Sequence, residues 1–258
     1  MDIVVLGAGG KLGQLLRPLF PRPARWVNRT EVDIRDRDAL RACLSGADAV
    51  ICMAGITNTN AEPMDGNTDL ALRTLDAARD VGAGHVLLFS SAAVYGRQPG
   101  SLSEDGTVAP LSDYGATKLA MEHAAAAHAH PNTSLRLGNV AGADAILGDW
   151  RPGFALDQLP DGTTPQRSYI GPHALARTLA TLAGATSLPP VLNVAAPGCV
   201  QMGEVLDRAG LAWTPRPATP STIPIVNLDT TRLQGFTKIK PWEGTPEGIV
   251  EDWQNRLI

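Results

Sequence analysis

The first two thirds of the chain alternate short apolar runs with stretches whose apolar residues recur every three or four positions. The runs are "IVVLG", "ARWV", "DAVICMAG", "HVLLFSS" and "SLRLGNV". Between them the 3.6-residue period predicts helices from Lys11 to about Leu19, Asp36 to about Leu44, Asn67 to about Val81 and Gly115 to about Ala129. Near-continuous apolar strands alternating with helices belong to βαβ units, in which a parallel sheet is covered on both faces. The expected fold class is α/β, a doubly wound parallel sheet. Past Ala141 the rhythm gives way to Gly- and Pro-bearing stretches such as "PDGTTPQRSYIG" and "AWTPRPATPSTIP", interrupted by a helix pattern at 173–183 and the strand "PVLNVAA". The expected organisation is a main domain of residues 1–140 and 170–195, and a small C-terminal lobe assembled from 141–169 and 196–258.

The first strand runs into "GAGGKLG", which sets Gly7, Gly10 and Gly13 three apart at the first strand-to-helix junction. Glycines there permit a tight turn and let a pyrophosphate approach backbone N–H groups where a helix begins. The main domain therefore reads as a Rossmann dinucleotide-binding domain. At the end of the second strand, where a carboxylate would hold the adenosine ribose of NAD, the chain has Asn28, Arg29 and Thr30. A guanidinium pairs with a 2′-phosphate, with the Thr30 hydroxyl as a second donor, which favours NADP. Glu31 is close enough to serve NAD instead. Asp33 and Ile34 suit an acceptor for the adenine amino group beside an apolar ring contact.

"SDYGATK" places Lys118 one helical turn beyond Tyr114. A phenol titrates near 10 in water, and a cation held beside it favours the phenolate. The preceding strand ends "LLFSSAAVYG", offering Ser91, with Ser90 the lesser candidate, to hydrogen-bond a substrate oxygen. Together Ser91, Tyr114 and Lys118 make an acid/base device for interconverting an alcohol and a carbonyl while a nicotinamide carries the hydride.

The segments "GAGGKLG", "DIRD", "LLFSSAAVYG", "YGATK", "LRLGNVAG" and "RSYIG" occur in the order seen in extended short-chain dehydrogenase/reductases of the NAD-dependent epimerase/dehydratase type. The chain resembles that family over nearly its whole length, specifically in the first two thirds and fading after Ala196. The resemblance implies that Ser91, Tyr114 and Lys118 are catalytic. It implies that Gly7, Gly10, Lys11, Leu12, Arg29, Asp33, Ile34, Ala54 and Gly55 line the NADP or NAD site. It also implies that Asn139 and Arg167 face a substrate, often a sugar linked to a nucleotide diphosphate; the helices at 67–81 and 115–129 could pair in a homodimer as the family's dimers do, with a monomer left open.

Departures narrow the reaction. Members that eliminate water carry an Asp-Glu pair after the catalytic Ser or Thr, and members that epimerise beside a ketone carry a Cys there; here Ala92 and Ala93 stand in those places. Ketone reduction, alcohol oxidation and 4-epimerisation remain. "YIGPHALA" also departs from the family, which has a His after the Ile and acidic residues near His173. The expected activity is an NAD(P)-dependent oxidoreductase acting on a sugar derivative, with a nucleotide-sugar 4-epimerase as the alternative. A nucleotide-sensing protein without turnover is the third reading, and an intact Tyr and Lys count against it.

Composition excludes other classes. A formal net charge of -4 without a basic block disfavours nucleic acid and anionic membrane surfaces. Cys43, Cys52 and Cys199 lie far apart, which suits a reducing cytoplasm rather than a disulfide framework or zinc site. No apolar run reaches the ~20 residues a bilayer requires. His123 and His130, seven apart, share a helix face but too few ligands converge for a metal. Trp213, Trp242 and Trp253 read as packing anchors in the variable lobe.

Overall fold

The computed structural model describes residues 1–56 and 66–257. Each apolar run becomes a strand of one six-stranded sheet: β1 (Ile3–Leu6), β2 (Arg25–Val27), β3 (Ala49–Cys52), β4 (His85–Ser91), β5 (Asn132–Leu137) and β6 (Val191–Val194). All pairings are parallel, in the order β6, β5, β4, β3, β1, β2. The helices are α1 (Lys11–Leu16), α2 (Arg37–Leu44), α3 (Gly66–Val81), α4 (Asp113–Ala126), α5 (Pro172–Ala183), α6 (Met202–Arg208), α7 (Thr231–Gln234) and α8 (Pro246–Gln254).

Successive strand residues point to opposite faces. Ile3, Val5, Ile51 and Leu87 join one apolar cluster with Leu16 of α1 and Leu175 and Leu179 of α5. Val4, Leu6, Val50 and Val86 join another with Leu40 of α2, Leu75 of α3 and Met121 of α4. Burying each such aliphatic side chain contributes about 1.5–3 kcal/mol, so both faces of the sheet are stabilised by packing. The chain leaves β1 for the edge strand β2 and returns to β3 on the other side of β1. That reversal opens a crevice at the carboxyl ends of β1 and β3.

Helix ends differ from the sequence pattern for local reasons. α1 stops at Leu16 and Pro18 carries the chain into a 3-10 turn, Arg17–Leu19. α4 starts at Asp113, earlier than expected, because the Ser112 hydroxyl accepts the Gly115 N–H at 3.1 Å and caps it. It ends at Ala126, so His130 lies beyond the helix, buried with Nε2 3.0 Å from the Gly84 carbonyl, and shares no helix face with His123.

Segments past Val140 pair Ala155–Gln158 with Thr214–Pro217 and, joined by Ser101–Leu102 from the main domain, build a four-stranded sheet of Val200–Gln201, Gln166–Arg167, Ile225–Leu228 and Ser101–Leu102. A separate apolar cluster joins Ala141, Leu156 and Tyr169 to Leu206 of α6 and Ile249 of α8. Asp252 of α8 anchors this part to α5 by accepting the His173 and Ala174 N–H groups at 2.8 and 3.0 Å. Gly171 makes that approach possible, since a Cβ there would lie 2.3 Å from the Asp252 Cγ. All three cysteines are free, Cys52 buried and the others half-buried. Among the described residues no cluster could hold a metal, and no helix is long and apolar enough to cross a membrane.

Candidate active site

A cleft of about 410 Å³ opens at the carboxyl ends of β1, β2 and β3. Gly7, Gly10, Arg29, Asp33, Ile34, Ala54 and Gly55 line it. The glycines have distinct reasons to be there. Gly7 sits at φ +90°, and a Cβ would come within 2.7 Å of the Ala54 nitrogen. At Gly13 a Cβ would come within 2.6 Å of Ala8 and Gly7 backbone atoms, so only glycine lets α1 pack onto the turn. A crevice floored by close-packed backbone and walled by both apolar and polar side chains fits a dinucleotide.

Lys11 and Leu12 are placed elsewhere. The Lys11 ammonium pairs with Asp149 at 2.7 Å, and Leu12, one helical turn before Leu16, packs into the core beneath α1. The segment after β2 is also arranged differently from expectation. Asn28 Oδ1 accepts the N–H groups of Thr30 and Glu31 at 2.9 and 3.1 Å and the Thr30 hydroxyl at 2.6 Å. The Thr30 hydroxyl is thereby turned onto Asn28. One Glu31 carboxylate oxygen accepts the Asn28 N–H at 2.8 Å, and the Arg29 Nε lies 3.7 Å from Asp33. Asn28 and Arg35, which also line the cleft, were missed as site residues, although an Asn two residues before a Thr is a recognisable turn signal.

Ser91 ends β4, and its hydroxyl accepts the Ala93 N–H at 3.2 Å to start a 3-10 turn. Ser90, one residue earlier and on the opposite face, donates to Glu122 at 2.5 Å, which leaves Ser91 as the serine facing Tyr114. α4 is seated close against the turn after Ser91: a Cβ on Gly115 would lie 2.6 Å from the Ala93 carbonyl. Lys118 follows one turn after Tyr114, its Nζ 5.9 Å from the phenol ring centroid and donating to the Phe89 carbonyl at 2.9 Å. A Cβ on Gly55 would lie 3.1 Å from the same Nζ, so Lys118 adjoins the wall of the cleft.

The electrostatics differ from the sequence expectation. Burial pushes the Lys118 ammonium down to about 8. Burial also raises the Tyr114 phenol above its ordinary value, with the hydrogen bond to Ser91 pulling the other way. The expected lowering of the phenol by its neighbouring cation is outweighed, because desolvation acts on both groups and the Lys118 hydrogen bond goes to Phe89. At neutral pH both groups hold their protons.

On the adjoining side, Ser91 pairs in register with Leu137, two residues before Asn139. The Asn139 amide donates to the Tyr169 hydroxyl at 3.2 Å, which donates to Asp144 at 2.9 Å. Arg167 lies in the small sheet, half-buried, donating to its neighbour's carbonyl at 2.7 Å; burial pulls its guanidinium below the ordinary value despite the charge of Asp157. A mostly apolar hollow beside the Ser91 turn is walled by Ala93, Leu111, Pro220 and Ile223. Arg97 ties the loop bearing Pro220 to this rim through the Pro220 and Thr222 carbonyls. Trp213 donates to Asp207, Trp253 stacks under Arg256, and Trp242 is 47% exposed. None of the three lines the cleft.

A doubly wound parallel sheet with its cleft at the point of reversal defines a Rossmann dinucleotide-binding fold. More narrowly, the chain belongs to the NAD dependent epimerase/dehydratase family, whose model matches residues 3–151, over half of its length. It is 41% identical over 90 residues to a UDP-glucose 4-epimerase of Corynebacterium glutamicum, covering 33% of this chain and 27% of that one. It is 32% identical over 148 residues to a UDP-glucose 4-epimerase of Azospirillum brasilense, covering 53% and 38%. The chain thus spans well under half the length of the curated relatives it matches. Among solved structures, MoeE5 in complex with UDP-glucuronic acid and NAD aligns over 100% of both chains with a TM-score of 0.75 and 24% identity. The UDP-glucose 4-epimerase of Thermus thermophilus, solved with NAD, aligns over 100% and 99%, with a TM-score of 0.76 and 20% identity. At these identities the structural likeness establishes the fold.

Proposed function

We propose that the protein interconverts an alcohol and a ketone on a sugar derivative, using a nicotinamide dinucleotide held by the glycine turn, Arg29, Asp33, Ile34, Ala54 and Gly55. The observation that carries this reading is the meeting of Ser91, Tyr114 and Lys118, with Lys118 next to Gly55 in the cleft wall. When bound, the dinucleotide supplies a nicotinamide that accepts or returns a hydride. Tyr114 moves the proton of the reacting hydroxyl at its phenol oxygen, Ser91 holds the same substrate oxygen by a hydrogen bond, and Lys118 supplies positive charge beside the phenol. The phenol gives its proton to the carbonyl oxygen in the reductive direction and takes it from the hydroxyl in the oxidative one. Residues 141–169 and 196–258 form the substrate lobe in this reading, with Asn139 and Arg167 toward the substrate. A desolvated guanidinium at Arg167 suits a phosphate or carboxylate.

For the cofactor, we infer NADP over NAD: Asn28 replaces the ribose-binding carboxylate, and Glu31 commits one oxygen to the Asn28 N–H. The second reading, a 4-epimerase with retained NAD, is favoured by relatives named UDP-glucose 4-epimerase and by neighbours solved with NAD. Denaturing the purified protein and assaying released nucleotide, then titrating with NADPH and NADH, separates them. Stoichiometric NAD carried through purification selects the epimerase. An empty protein that binds NADPH at least ~10-fold more tightly, ~1.4 kcal/mol, selects the reductase. Binding of neither dinucleotide would overturn both readings.

A further inference from the structure

Behind the Tyr114 and Lys118 pair lies a buried polar network. Glu122 stands one turn beyond Lys118 on α4 and is 3% exposed. Its carboxylate accepts the Ser90 hydroxyl at 2.5 Å and, from β5, the Arg136 Nε at 3.1 Å and a terminal nitrogen at 2.7 Å. Arg136 in turn donates to the Tyr95 hydroxyl at 3.0 Å, and Tyr95 donates to Asn193 of β6 at 2.7 Å. Two consecutive residues of β4 therefore hold α4: the Phe89 carbonyl through Lys118, and the Ser90 hydroxyl through Glu122. The next residue is Ser91.

We propose that Glu122 is a positioning residue of the active site: it fixes the helix bearing Tyr114 and Lys118 against the strand bearing Ser91, and it balances the Arg136 charge behind Lys118. This inference rests on the reading of Tyr114 and Lys118 as the acid/base pair. A buried ion pair stripped of one partner leaves an uncompensated charge, here the Arg136 guanidinium. Among the described residues, the titratable groups facing Lys118 are Tyr114 and Glu122 from α4 and Cys52 from β3, with the Asn67 amide and Gly55 completing its surroundings. Glu122 and Cys52 favour its charged form and burial opposes it. Removing the Glu122 charge takes away one of the two groups that favour the ammonium and leaves burial unopposed by it.

The chain has four lysines, Lys11, Lys118, Lys238 and Lys240, so the Lys118 signal is separable by NMR of ε-13C-lysine in the full-length protein, with Lys118→Met for assignment. In Glu122→Gln the Lys118 midpoint is expected to fall by ~1 pH unit, a ~10-fold loss of ammonium at a given alkaline pH. In Glu122→Gln/Arg136→Gln the ion pair is not left broken, so thermal stability is expected to be partly restored while the Lys118 midpoint stays low. A Lys118 midpoint unchanged in both variants overturns the inference. A generally loosened fold admits water to Lys118 and raises its midpoint, which overturns it as well. The titration needs no turnover, so its outcome stands apart from the functional reading, which fails instead if Tyr114→Phe keeps full activity.

Discussion

Lys118 ought to be destabilising in the resting protein, and the size of the effect can be worked out. Its ammonium sits 4% exposed and titrates at about 8 instead of the ordinary 10.5. At 1.36 kcal/mol per unit, that fall corresponds to a penalty on the order of 3 kcal/mol for keeping the charge buried. Replacement by Met removes the charge and keeps most of the apolar stem, while forfeiting the hydrogen bond to Phe89, worth ~1 kcal/mol. Lys118→Met is therefore expected to be more stable than the parent by ~1–3 kcal/mol at pH 7. The sign of the pH dependence follows from the direction of the shift. Between about 8 and 10.5 the unfolded chain binds the lysine proton more tightly than the folded one, so the parent gains stability as pH rises through that window. The penalty is fully present below pH 8, and the advantage of the variant shrinks toward zero by pH 10.5. Urea unfolding of both proteins from pH 6.5 to 10.5 measures the difference directly, and other alkaline titrations cancel in it. A variant no more stable than the parent at pH 7, or an advantage that does not change with pH, refutes the reasoning. The accompanying expectation is loss of turnover, since a group held at a cost to stability is held for another use.

Tyr114→Phe is expected to bind NADPH or NADH as the parent does while losing ~10²- to 10⁴-fold in turnover once a substrate is found; near-parental rates exclude the phenol from proton transfer. Gly13→Ala forces its methyl to within 2.6 Å of Ala8 and Gly7, so α1 must lift off the turn. Overpacking of that kind costs about 1–3 kcal/mol and should weaken dinucleotide binding along with thermal stability. An unchanged Kd and melting temperature would contradict the close packing. Asp252→Ala removes the acceptor for two N–H groups of α5 and the Nδ1 partner of His173, and should cost ~1–2 kcal/mol in denaturant unfolding without altering cofactor affinity.

The continuous apolar runs and the 3.6-residue period between them were enough to place the parallel sheet, because strands buried on both faces leave an apolar signature that needs no partner to be read. The same local chemistry marked the glycine turn and the Tyr-to-Lys helix, whose spacing is short and whose geometry is set by one element each. What lay outside that reach depends on residues distant in sequence. Lys11 is drawn to Asp149, 138 residues away, and Leu12 turns inward because the sheet lies beneath α1. Nearer at hand, Asn28 takes the Thr30 hydroxyl that the sequence reading assigned to a phosphate, a local contact two residues long. The sequence preferred Ser91 to Ser90 by resemblance, and the packing of α4 on β4 supplies the physical difference, giving Ser90 to Glu122 and Ser91 to Tyr114. The protonation of the site is likewise a tertiary property. Sequence supplies a phenol and a cation at helical spacing, but how far each is removed from water, and so which proton leaves first, is decided by the fold around them.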